Sequence, residues 1–175
     1  MGLDLTDIHT VLKGINKRKS TWASEDALGL KLWVQANGCK VILYQERDEK
    51  SNTPFLFVFA TEWQLEKMAT LGHGNAVAMD ATFGVNEYEY SLHTMLCFDE
   101  FQNGIPTVWA LMETHKEKDV VKVLTSVKEA MHKTREQDLS LQGAWTPSCF
   151  IVDCATEEQN AISSVWPGVP IALCA

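Results

Sequence analysis

Two aspartates stand at the ends of short apolar runs. Asp80 sits in Ala76-Val77-Ala78-Met79-Asp80-Ala81-Thr82-Phe83-Gly84, and Asp153 in Cys149-Phe150-Ile151-Val152-Asp153-Cys154-Ala155-Thr156. Each run is rich in strand-forming residues and bounded by turn or cap residues, which predicts a buried strand carrying a carboxylate. A buried carboxylate costs several kcal/mol unless it is paired, hydrogen-bonded or bound to a cation. Two of them side by side repel, and a cation between them removes the repulsion. Carboxylate oxygens suit hard divalent ions such as Mg²⁺ or Mn²⁺, which keep water and leave room for a phosphate. Two such ions can activate a water or a 3′-hydroxyl and stabilise the leaving oxygen in phosphodiester cleavage. A blander role competes at Asp153. Ala155-Thr156-Glu157-Glu158 opens a helix, and Asp is favoured near an N-cap. Pattern alone favours capping there, whereas Asp80 lies inside its run.

Other reactive residues carry less. Glu113 follows a predicted strand and is expected to be a solvated strand end, with the carboxylate edge as its alternative. His73, His93, His115 and His132 lack metal-ligand spacing. Cys149 and Cys154 read as two buried thiols, and Trp63, Trp109 and Trp166 as core. There is no Gly-rich phosphate loop and no GxSxG elbow.

The elements that must position the aspartates follow from periodicity. A first amphipathic helix is expected over residues 5–19 and a second from Ser24 to the stop at Gly38. Residues 40–60 read as a hairpin, Val41–Tyr44 against Phe55–Ala60, and Thr61-Glu62-Trp63-Gln64 caps a helix to Leu71. Strands 76–84, 88–98 and 105–112, joined by short turns, must form an antiparallel meander. Helix 118–133, strand 149–153, helix 155–165 and strand 169–174 complete the chain. A right-handed crossover then puts the fourth strand of the meander unit beside its first, and Asp153 beside Asp80. The expected class is α/β: a mixed sheet of three antiparallel strands followed by α-β-α-β, with an N-terminal α+β extension. The division expected is residues 1–75 for the extension and 76–175 for the second domain.

Composition sets the bounds. The chain has 175 residues, 46% hydrophobic and 22% charged, enough for a real core. No run approaches the roughly 18 apolar residues of a membrane span. The net charge is −8, against stand-alone nucleic-acid binding. Lys13, Lys17, Arg18 and Lys19 form the dense basic cluster, read as a solvated helix end. Five cysteines without a CxxC pair, and no signal peptide, point to reduced thiols inside a cell.

Asp80-Ala81-Thr82-Phe83-Gly84-Val85-Asn86-Glu87-Tyr88 resembles the D-x-T-[FY]-x-[TV]-N-x-[YF] opening of the MULE (Mutator-like element) transposase domain. Phe150 to Asp153, Ala161-Ile162, Trp166-Pro167 and Leu173-Cys174 resemble the second block of that family, in the same order. The resemblance implies a ribonuclease-H-like fold over residues 76–175 and DDE-type, metal-dependent DNA cleavage and strand transfer. It makes Asp80 and Asp153 the first and second catalytic carboxylates and metal ligands. Mg²⁺ or Mn²⁺ is the implied cofactor, DNA the partner of a full-length parent, and the nucleus the location. In the family the third carboxylate, a glutamate, lies on a helix well after the Leu-Cys block. The sequence ends at Ala175, so a C-terminally truncated, inactive domain is expected. The alternative is a domesticated regulatory module that uses the fold for protein contacts.

Overall fold

The computed structural model describes residues 26–84, 88–138, 141 and 143–174. The expected first helix and the cluster Lys13, Lys17, Arg18 and Lys19 lie outside the described residues. Seven strands and four helices are described. They are α1 (Asp26–Ala36), β1 (Cys39–Gln45), β2 (Leu56–Thr61), α2 (Glu62–Leu71), β3 (Ala76–Thr82), β4 (Ser91–Phe98), β5 (Gly104–Met112), α3 (Glu117–Gln137), β6 (Cys149–Val152), α4 (Thr156–Val165) and β7 (Ile171–Leu173).

All seven strands form one mixed sheet in the order β1-β2-β5-β4-β3-β6-β7. The meander β3-β4-β5 is antiparallel, as its short turns require, and β6 joins β3 in parallel after the α3 crossover. Strand β2 pairs antiparallel with β5, so β1 and β2 extend the same sheet.

Alternation of side chains gives the sheet two faces. Val77 and Met79 of β3, Met95 and Cys97 of β4, and Phe150 and Val152 of β6 face the main core under α2, α3 and α4. Helix α3 fits this face because Val120, Val123, Leu124, Val127 and Met131 recur at helical spacing and are buried. The opposite face is covered by α1, where Leu30 and Val34 meet Phe57, Phe59, Trp109 and Leu111 of β2 and β5.

Local chemistry sets the element ends. Gly38 takes φ +75° just after α1, a conformation that favours glycine. Thr61 caps α2 in a reciprocal box: Gln64 N donates to Thr61 Oγ1 at 3.2 Å and Thr61 N to Gln64 Oε1 at 2.8 Å. Gly72 ends α2 where a Cβ would lie 2.8 Å from Met68 O, so no larger residue fits without movement. No helix among the described residues is long and apolar enough to cross a membrane. Edge strand β7 carries Leu173 half-exposed.

Three expectations are corrected. Trp63 lies on the outer side of α2 at 41% exposure, because the buried positions of that helix are Gln64, Leu65, Met68 and Ala69. Cys154 is exposed in the β6–α4 loop, outside the strand alternation that half-buries Cys149. Glu113 is no solvated strand end: Oε2 accepts from Phe55 N at 2.7 Å and Oε1 meets Arg47 at 3.2 Å, which ties β5 to β2.

Candidate functional site

Strand pairing brings the two aspartates to one place. The parallel register of β3 and β6 matches Ala76 with Cys149, Val77 with Phe150 and Ala78 with Ile151. Continued along both chains, it sets Asp80 level with Asp153, which follows Val152 at the end of β6. Neither is buried: both are exposed, contrary to the sequence reading. Asp80 alternates away from Val77 and Met79 and so leaves the helix-covered core for the opposite face. There it pairs in register with Thr94, a buried residue whose hydroxyl has no hydrogen-bond partner among the described residues. Asp153 does not cap α4 either. The N-cap is Ala155, with no side-chain cap bond, leaving the Asp153 carboxylate uncommitted to the helix end.

Behind this pair, on the core side of the sheet, lies a buried polar pair that residue spacing does not reveal. His93 alternates inward with Met95 and Cys97 on β4, and Glu158 sits on the first turn of α4. Their side chains are 3% and 8% exposed, and His93 Nδ1 lies 3.6 Å from Glu158 Oε1. Burial pushes the Glu158 carboxyl up to about 7, with further push from the charges of Asp153, Asp80 and Glu157. Burial holds His93 down to about 4, with His115 adding to the effect. His115 rests against His93 with ring centroids 5.4 Å apart, and the largely exposed Phe83 lies 4.9 Å beyond it. Burial also lowers His115, offset in part by Glu157.

The sequence held a signal for Glu158. The buried positions of α4 are Glu158, Ala161, Ile162 and Val165, one helical stripe, so a glutamate occupies an apolar position. His93 likewise holds an inward strand position. Among the described residues no group of three or more His, Cys, Asp or Glu side chains is arranged to hold a metal ion. Glu158 and Asp80 issue from opposite faces of the sheet, so they act on each other through charge and not as joint ligands. Carboxylate oxygens completed by water are the donor chemistry that a hard divalent cation takes.

The sequence model of the MULE transposase domain family matches residues 76–175. No curated protein and no solved structure matches the chain.

Proposed function

Because the chain belongs to the MULE transposase domain family, we propose that Asp80 and Asp153 are the paired carboxylates of a divalent-cation site inherited from DNA transposition. The single observation that supports this most is the parallel β3–β6 register, which pairs Ala76–Ala78 with Cys149–Ile151 and, carried two residues further, would bring Asp80 level with Asp153 just past the end of β6. The family is the ground for reading the sheet as ribonuclease-H-like and the partner as DNA. A bound Mg²⁺ or Mn²⁺ would supply activation of a water or hydroxyl nucleophile and charge stabilisation on the phosphate. Asp80 and Asp153 would hold it, and their exposure leaves the phosphate an open approach. With no third ligand grouped beside them among the described residues, the expected behaviour of this chain is weak cation binding without strand transfer.

Titration calorimetry with Mn²⁺ and Mg²⁺ tests the assignment, comparing the native chain with Asp80→Ala and Asp153→Ala. Weak binding that both substitutions reduce is expected. Titrations unchanged by either substitution would remove the aspartates from the site. The net charge of −8 favours a second reading, a transposase-derived protein-interaction module of the nucleus with no catalysis. Cation-independent binding to a protein, undiminished in Asp80→Ala, would favour that one.

A further inference from the structure

His93 and Glu158 are two of the buried titratable groups that the paired-aspartate reading leaves unused, and the hydrogen bonding of His93 fixes where its ring proton sits. Ser91 Oγ donates its one hydrogen to Met112 O at 3.2 Å. It can therefore only accept from His93 Nε2, 3.1 Å away. This chain of bonds assigns the ring hydrogen to Nε2, so that a neutral His93 turns the Nδ1 lone pair outward. Nδ1 faces Glu158 Oε1 at 3.6 Å and has no hydrogen-bond partner among the described residues. A lone pair and a carboxylate oxygen facing each other in a dry site repel, and a single proton between them removes that repulsion.

We propose that His93 and Glu158 hold one proton between them, carried as the neutral Glu158 acid, and that this proton is coupled to the charge at the Asp80–Asp153 edge, so that a divalent cation arriving there releases it. On release the Glu158 O–H bond breaks, its electron pair stays on the carboxylate, and the proton passes to solvent buffer. A neutral acid relieves repulsion beside two exposed aspartates, and an arriving double positive charge reverses that balance. The coupling acts across the sheet, from the face that bears His93 to the face that bears Asp80.

Every charged neighbour bears on the sign. Asp153 from the end of β6, Asp80 from β3 and Glu157 from α4 itself favour the protonated acid. His115, before α3, lies against His93 and opposes a positive charge there. From α3, Glu117 accepts from Asn160 of α4 and Lys128 donates to Val165 O, and neither reaches Glu158. Burial pushes His93 down and Glu158 up, and both directions favour the proton on the carboxyl.

The shared proton stands without a cation; its release rests on the aspartate assignment. The first arm is therefore metal-free. Side-chain carboxyl ¹³C NMR of glutamate-labelled protein follows Glu158, assigned by the loss of its resonance in the near-isosteric Glu158→Gln. Titration near neutrality is expected, with a midpoint that falls by about half a pH unit or more in Asp80→Asn and in Asp153→Asn. Titration of Glu158 near its ordinary 4.5, or a midpoint that neither substitution moves, overturns the coupled pair. The second arm is Mn²⁺ calorimetry near neutral pH in two buffers of different ionisation enthalpy. Proton release in the native chain, absent in Glu158→Gln while the ion still binds, is expected. Binding without release overturns the release alone. No binding at all overturns the aspartate cation site together with the release, and leaves the NMR arm to decide the pair.

Discussion

Replacing Glu158 by Gln should stabilise the protein increasingly as pH rises. Glu158 is 8% exposed in its side chain and sits under α4 with its carboxyl pushed from an ordinary 4.5 up to about 7. A raised folded-state value means that the stability this group contributes is fully present below 4.5 and is lost as pH rises through about 7. At about pH 5.5 the unfolded glutamate has already ionised while the folded one has not, which costs about 1.4 kcal/mol. By about pH 8.5 both are ionised and the cost is about 3.4 kcal/mol. A glutamine in its place carries no such cost, and its amide offers a donor toward His93 Nδ1. His93 is common to both proteins and cancels. The advantage of Glu158→Gln should therefore grow by about 2 kcal/mol across this range and then level off. Urea unfolding at a series of pH values, with equal m-values for the two proteins, measures it. An advantage that stays constant with pH, or shrinks as pH rises, would refute the placement of a neutral acid beneath the sheet.

Two further outcomes test the fold around the site. Thr61→Ala removes the side-chain arm of the α2 capping box and should cost about 1 kcal/mol in urea unfolding, with Thr61→Ser close to native; a neutral Thr61→Ala would mean that α2 needs no cap. In thiol labelling of the native protein, exposed Cys154 and Cys174 should react quickly, while buried Cys97, its thiol pushed up to about 11, stays unreactive until unfolding. Rapid labelling of Cys97 would contradict the packing of β4 against the main core.

Much of the scaffold was legible because it depends on local periodicity. The 3.6-residue spacing of Val120, Val123, Leu124, Val127 and Met131 marks α3, and the Thr61–Gln64 box marks the start of α2. The meander and the parallel return of β6 beside β3 follow from connection lengths, so the neighbourhood of Asp80 and Asp153 was readable as well. Exposure was not. An aspartate in an apolar run reads as buried, yet strand alternation turned Asp80 away from the helix-covered face, and Asp153 lies just beyond the last strand residue. Glu113 looked like a free strand end because nothing local shows that Phe55 N and Arg47 come to meet it from across the sheet.

Residue types and spacing by themselves determined the element order, one carboxylate on a strand and one just past another, and the family they resemble. Those properties are carried by neighbours within a few positions and by the handedness of connections. Only the tertiary structure decided that a histidine on β4 and a glutamate on α4, 65 positions apart in the chain, face each other inside the core. A titration midpoint depends on solvent exclusion and on charges brought close in space, and neither quantity exists until the helices have packed onto the sheet.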